Sequence, residues 1–563
     1  MIRNPNYSSE NFLSPIFDVS WPFYTVESDY LSAWACLFFA VILIVMAKYA
    51  SRASKRLRVS TLFVCALVSL LVYSNFLTFH GPINKDEVRH LQSWDMFHYV
   101  IGTRYHAELG YDHFYDACLL ALREVESDVS DRDFWSRISY RDMRNYEIMP
   151  ATVALLQSEE IKAAFTEERW TRFVADIAVF YNDLGTEYFL RTLQDHGFNP
   201  PPTYTLVAKS FLGTGALTEP KLAFLASIDW VLLAAAFGLI AWGFGIEAAL
   251  VSTILFGIAY MSNFSWVGNA FLRFGWFFGV VGGIVLQKKR YPIAAGLCLG
   301  FATGLRVFPG ILLFSLAFPF LWSWWAEIRS NRGSENPKPA IPDWLIWKRS
   351  DRCMQLLKTT ITAAVLLTTW AVLATLLSDR SSWSEWSETI ALHNNRLSAN
   401  HVGWRAAVTI DSDLTSGKIF QEDPITWWNE QKRETLAKRT WVYIPVALTF
   451  LGLLLASARR SSLAHYLVVG LTGLFFFIDL SGYYYSFLAL LPLLFFGRKW
   501  AGLDLGYTSA SCLALVIMGQ YWTQQIYLHL DWVYTISSLV LALVLILIPA
   551  IHLSVKPTNP AEA

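Results

Sequence analysis

The sequence predicts an all-α polytopic membrane protein of about 13 transmembrane helices, with one large helical domain on the outer side. Three observations predict it. Of its 563 residues, 54% are hydrophobic and 16% aromatic, and the mean hydropathy is +0.35, too apolar for a soluble globular chain. Apolar runs long enough to cross a bilayer recur along its length. Basic residues fall in short clusters between alternate runs, as the cytoplasmic preference of Lys and Arg requires.

Each element follows from these patterns. Residues 1–80 hold an outer N-terminal segment and two spans, near 30–50 and 59–80. The acidic Glu10, Asp18, Glu27 and Asp29 argue against a cleavable signal peptide. Arg52, Lys55, Arg56 and Arg58 place the turn between the two spans in the cytoplasm, so the chain beyond His80 faces outward. Residues 81–222 contain no further span and form the outer domain. Its later part is helical by periodicity, in Pro150 to Leu156 and Trp170 to Leu193, and stops at Pro200, Pro201 and Pro202.

Central spans over 223–329 lie near 224–243, 247–264 and 270–287, the last ending at Lys288, Lys289 and Arg290. From Arg290 to Arg329 the apolar chain is interrupted by Gly304, Arg306 and Pro309, which predicts two short helices with Arg306 at the hairpin tip, facing outside. A cytoplasmic loop at 330–356, a span at 357–378 and a second outer loop at 379–440 follow. The final region, 441–563, holds spans near 441–457, 463–480, 484–497, 505–522 and 531–553. Arg459, Arg460, Arg498 and Lys499 lie on its cytoplasmic turns. No internal repeat is visible.

Equal numbers of basic and acidic residues, 45 of each, give no basis for a nucleic-acid partner. The 24 Trp and 25 Tyr fit interfacial belts in contact with membrane lipid. Six scattered cysteines show neither a disulfide framework nor zinc spacing.

The chemistry-bearing residues concentrate on the outer side. Asp86 and Glu87 directly follow the run from Ser60 to His80, and helical spacing would place Asp86, His90 and Trp94 on one face, with Asp95 and His98 nearby. Arg306 interrupts apolar sequence, where a guanidinium costs about 2.5–3.5 kcal/mol at a helix centre and usually lines a functional cavity. The second outer loop offers His393, Asn395, Arg396, His401 and Arg405; the spacing of its histidines matches no zinc pattern. Tyr484 lies where two late spans meet. This set suits transfer of a sugar from a polyprenyl phosphate, because a carboxylate takes the proton of the acceptor hydroxyl while cations steady the departing phosphate. Asp86 is then the base, and Glu87 or Asp95 positions the acceptor. Arg306, Arg396, Arg405 and His401 bind the donor phosphate. His90, Trp94, His98, His393, Asn395 and Tyr484 contact substrate.

The Asp86-Glu87 pair, set after an early span within a large outer loop, resembles the acidic motif of the GT-C superfamily of integral membrane glycosyltransferases. In its protein mannosyltransferase-like and aminoarabinose transferase-like branches the first acid of that motif is taken as the base. The stretch from Asn269 through Lys288-Lys289-Arg290 to Leu305-Arg306-Val307-Phe308-Pro309-Gly310 is similar to the central part of bacterial families that use polyprenol-phosphate-mannose, which often carry Lys where Arg306 stands. The likeness covers the layout of residues 60–330. It implies a GT-C fold, a polyprenyl-phosphate donor carrying mannose or another hexose or pentose, and inversion at the anomeric carbon.

Two features depart from that pattern: an extra span precedes the motif-bearing helix, and the first outer loop is unusually long. Oligosaccharyltransferase-type members use a divalent metal and a Trp-Trp-Asp signature, whereas Trp427-Trp428 is followed here by Asn429. A metal-independent enzyme without other cofactors is therefore favoured, while a divalent metal stays open without support in the sequence. The acceptor stays open among lipid, glycan and protein, and the chain suits a bacterial inner membrane with its site facing the periplasm. Two other classes stay open: a transporter or flippase of a lipid-linked saccharide, and a non-catalytic assembly protein using segment 150–195 as its contact surface.

Overall fold

The computed structural model describes residues 26–76, 91–126, 132–332, 350–377, 382–394, 400–410, 424–526 and 530–555. Among these, β structure is confined to three two-stranded antiparallel ladders, so the expectation of a helical membrane protein holds. Seven helices are long and apolar enough to cross a bilayer: Tyr30–Tyr49, Lys55–Tyr73, Glu219–Phe244, Gly310–Ser330, Asp351–Leu376, Thr440–Arg460 and Val533–Ser554. Shorter apolar helices, Ile246–Gly257, Pro292–Leu305, Leu463–Phe477 and Gly482–Leu494, stand among them. Phe38, Phe63, Val231 and Leu543 are exposed on this bundle, as side chains facing hydrocarbon would be.

A second hydrophobic core lies within residues 96–217. Tyr105, Tyr115, Phe173, Phe180 and Phe198 are among its buried members, and it continues into Leu225, Phe271, Leu272 and Leu305 at the tips of the bundle. Residues 96–217 thus form a helical domain seated on one end of the bundle. Arg104 and Asp176 pair at 3.2 Å inside it, and Asp176 also accepts from Tyr105 and from the backbone of Leu217. A buried ion pair closed by further hydrogen bonds in this way leaves few polar atoms exposed to an apolar surrounding.

At the other end of the bundle, Arg58 makes a two-pronged ion pair with Glu247 at 3.0 and 3.1 Å, and Tyr507 donates to the same carboxylate. The starts of three helices, at 55, 246 and 505, are locked together there.

Local chemistry moves several boundaries. The helix Lys55–Tyr73 ends where Asn75 and Phe76 turn left-handed (φ 50° and 57°), so the apolar run to His80 is not one continuous helix. Trp94 belongs to a new turn, Ser93–Met96. The expected common face of Asp86, His90 and Trp94 therefore loses its premise, while Asp86, Glu87 and His90 themselves lie outside the described residues. The expected helix from Trp170 to Leu193 is two, Glu167–Leu184 and Thr186–Thr192, parted at Gly185 with φ 73°. Pro202 opens the helix Pro202–Leu212 as its first residue, where its missing N–H costs nothing, so the proline run also starts a helix. The span expected over 247–264 is helical only to Gly257, and irregular chain fills most of the interval before Gly275–Lys288.

The break at Arg306 is found as expected. Helix Pro292–Leu305 stops there because Arg306 is extended (φ −143°, ψ 128°), and the chain becomes helical again at Gly310.

Candidate functional site

Where this helical domain meets the bundle, two guanidiniums lie in a cage of tyrosines. Arg306 is only 6% exposed, and its guanidinium stacks 4.6 Å from the ring of Tyr99 and 5.2 Å from that of Tyr204. Arg273 stands over Tyr483 at 4.2 Å, with Tyr99 and Tyr484 each at 5.6 Å. Ring quadrupoles stabilise a desolvated cation by about 2 kcal/mol or more, which partly offsets the several kcal/mol lost on removing each guanidinium from water.

Each member is set by its own element. Tyr99 sits in a π-helical turn, Phe97–Ile101, a distortion common at functional positions. Tyr204 projects from the helix opened by Pro202, which is pinned where Thr203 donates to the carbonyl of Gly304 at 2.6 Å. Tyr483 and Tyr484 follow the short ladder in which His401–Val402 pairs with Leu480–Ser481. Phe308 and Trp276 back Tyr484 at 4.7 and 5.9 Å. Arg273 is held from behind by Asp229, buried in the helix Glu219–Phe244, whose carboxylate accepts the backbone N–H groups of Arg273 (3.1 Å) and Phe274 (3.0 Å).

A carboxylate side chain contacts one of the two guanidiniums. Asp95 lies 3.5 Å from Arg273, which also donates to the Tyr99 hydroxyl at 3.0 Å. Among the described residues, Arg273 Nε, Arg306 Nε and Arg306 Nη2 are buried with no hydrogen-bond partner. Such donors are costly to leave unmade, and their convergence marks a place where an anion would supply the missing acceptors.

A second cluster is built beside the first. Trp94, next to Asp95 in sequence, donates through Nε1 to Asp195 at 2.8 Å, and Asp195 also bonds His196 Nδ1 at 3.2 Å. The His196 ring lies 5.4 Å from that of His393, and His393 lies 6.2 Å from His401. Arg405, in ion-pair contact with Asp479, bonds the carbonyl of Asn394 at 3.3 Å. Desolvation, then the positive charges possible on His393, His196, Arg405 and Lys432, push the imidazole of His401 well below its ordinary value. Desolvation works to raise Asp195, but its bonds from His196 and Trp94 and the neighbouring imidazoles outweigh that and hold it well below the usual carboxylate range.

The expected residues thus divide. Asp95, Arg306 and Tyr484 join the cage. Trp94, His393, His401 and Arg405 join the histidine cluster. Arg306, expected at its hairpin tip, lies at the break after Pro292–Leu305 and is covered by Tyr99 and Tyr204. His98 is 4% exposed, with its ring nitrogens on the Trp94 carbonyl at 2.9 Å and the Tyr115 hydroxyl at 2.7 Å, a buttress inside the helical domain of residues 96–217. Asn395 and Arg396, like Asp86, Glu87 and His90, lie outside the described residues.

Sequence reasoning missed Arg273, Tyr99, Tyr204, Asp229 and His196. Arg273 carried the same signal as Arg306, since it interrupts Phe271-Leu272 and Phe274; the tyrosines had nothing to separate them from an interfacial belt. Comparison with protein-family models, curated proteins and solved structures finds no significant match.

Proposed function

We propose that the protein is an inverting GT-C-type glycosyltransferase with about 13 membrane passes, which moves a hexose or pentose from a polyprenyl-phosphate donor to an acceptor on the periplasmic face of a bacterial inner membrane. One observation carries the reading: the cage holds two buried guanidiniums with three unbonded N–H-bearing nitrogens, beside a carboxylate and among apolar helices. A lipid-linked phosphate has the matching parts, an anion able to take several donors and an apolar chain suited to bilayer depth. The periplasmic orientation is supported by the basic clusters around Arg58, Lys288 and Arg498, which belong to the helix ends far from the cage.

In this reaction the acceptor hydroxyl attacks the anomeric carbon from the face opposite the phosphate, and its proton passes to Asp86, the base implied by the GT-C resemblance. The bond between the anomeric carbon and the phosphate oxygen breaks, and polyprenyl phosphate leaves with one more negative charge than the donor carried. Arg273 and Arg306 stabilise that added charge. Asp95, held by Arg273, orients the acceptor, and the tyrosine rings exclude water and offer stacking faces to a sugar.

Purified wild type and Asp86→Asn, incubated with a panel of polyprenyl-phosphate sugars and crude envelope acceptors, test this. Release of polyprenyl phosphate by wild type alone, with the variant folded, is expected. No release from any donor would move the assignment to a transporter or an assembly protein.

A further inference from the structure

We propose that the hydroxyl of Tyr99 donates a hydrogen bond to the anion held by Arg273 and Arg306, as a third donor for the phosphate of the lipid-linked sugar. Naming that anion a lipid phosphate rests on the glycosyltransfer reading; the free hydrogen of the Tyr99 hydroxyl does not.

Tyr99 is the cage ring in contact with both guanidiniums, 4.6 Å from that of Arg306 and 5.6 Å from that of Arg273. The contact with Arg273 is more than stacking, because Arg273 Nη1 donates to the phenol oxygen at 3.0 Å. A guanidinium carries donors and no acceptor, so the hydrogen of the Tyr99 hydroxyl cannot return to it. Among the described residues nothing else takes that hydrogen. The bond from Arg273 is the one the hydroxyl makes, and the Asp95 carboxylate, 3.5 Å from the same Arg273 nitrogen, keeps its Oδ2 buried without a hydrogen-bond partner. Tyr204 is placed differently, since its hydroxyl donates to the carbonyl of Phe271 at 3.3 Å.

Three departures from regular helix bring the donors together. Tyr99 lies in the π-helical turn Phe97–Ile101, Arg273 in the irregular chain before Gly275, and Arg306 in the extended break after Leu305. Arg273 Nε, Arg306 Nε and Arg306 Nη2 are the N–H groups left unbonded in the same place. A phosphate group takes donors on several oxygens, so an anion that satisfies these nitrogens also meets the remaining hydrogen of the phenol that touches both arginines.

Burial keeps that hydrogen in place. Desolvation raises the Tyr99 phenol while Arg306 and Arg273 act to lower it, and desolvation prevails. Because the oxygen already accepts from a cation, its own O–H is a stronger donor than that of an isolated phenol. The bond strengthens as the departing phosphate gains charge, so the hydroxyl acts on both the bound donor and the leaving group.

The competing role is positioning alone, in which the hydroxyl only holds Arg273. Tyr99→Phe removes the oxygen and keeps the ring against Arg306. Equilibrium binding of polyprenyl phosphate is measured in detergent for full-length wild type, Tyr99→Phe, Arg273→Gln and the double variant, with melting temperatures recorded for each. Tyr99→Phe should weaken binding about tenfold, as loss of a hydrogen bond to a charged group does. Made in Arg273→Gln, the same substitution should still weaken it by about threefold or more. Equal affinity of wild type and Tyr99→Phe, or no further loss in the Arg273→Gln background, would overturn the proposal.

A second measurement keeps the ring and the fold. With 3-fluorotyrosine installed at position 99, the phenol is a stronger donor and a poorer acceptor, and polyprenyl phosphate should bind tighter than to wild type at pH 6. Equal or weaker binding would contradict direct donation. Sugar transfer by wild type with unchanged phosphate affinity in Tyr99→Phe would remove this inference and leave the transferase reading. Tyr99-dependent binding with no sugar released from any donor would remove the transferase reading alone, and no binding by wild type would overturn both.

Discussion

Arg306 shows what a single side chain can report about a membrane protein. Its charge in apolar sequence was legible without a structure, and so was the helix break around it; the rings that enclose it were not, because Tyr99 and Tyr204 come from distant stretches with ordinary local patterns. Arg306→Gln keeps a hydrogen-bonding group but removes the cation, and should lower kcat for sugar transfer by about 10²-fold, the usual effect of deleting one donor to developing charge. Steady-state release of polyprenyl phosphate reads it.

Tyr115→Phe should act on stability instead. It removes the partner of His98 Nε2 and of the Gly197 N–H, both inside the helical domain of residues 96–217, and should cost about 1–3 kcal/mol while leaving KM for the donor unchanged. A thermal melt with parallel kinetics checks both parts.

Elements were legible where a span was long and uninterrupted, because twenty apolar residues have few other solutions. They were misjudged where the backbone turns for local reasons: left-handed Asn75 and Phe76, Gly185, and the irregular chain after Gly257. The last is held by Asp229. Asp229→Ala should leave the N–H groups of Arg273 and Phe274 unbonded, destabilise the protein by about 1–3 kcal/mol for each and displace Arg273 from the cage. Turnover should fall in proportion to misplacement, and hydrogen exchange over 268–274 should rise.

Packing between the helices Pro292–Leu305 and Asp351–Leu376 depends on close approach. A Cβ at Gly296 would collide with the carbonyl of Thr359, and one at Gly304 would lie 2.7 Å from the Trp370 ring. Gly296→Leu should push these helices apart and shift Arg306, which directly follows the first of them.

For the whole molecule, an apolar composition made the membrane class plain, but the site was only partly visible. The loop histidines and arginines were recognised as polar groups near a membrane surface, yet nothing local could show that they divide into two clusters joined at Trp94 and Asp95. Such partition is set by tertiary packing between two cores.

It also carries a pH consequence. His98, by desolvation, and His401, by desolvation and neighbouring charge, have folded values below the unfolded value of about 6.5, so the unfolded chain binds protons more readily. Their contribution to stability is complete above that pH and is lost as pH falls below it. In phosphate-free buffer the apparent melting temperature should fall between pH 7 and 5, and His401→Gln should flatten that slope.

The central claim is that two caged arginines hold the phosphate of a lipid-linked sugar. Equilibrium binding of polyprenyl phosphate to purified wild type, Arg273→Gln and Arg306→Gln tests it most directly. One lipid phosphate per protein is predicted for wild type, weakened in each variant by about 2 kcal/mol or more, roughly 30-fold. Equal affinity in all three, with each variant folded, would contradict it.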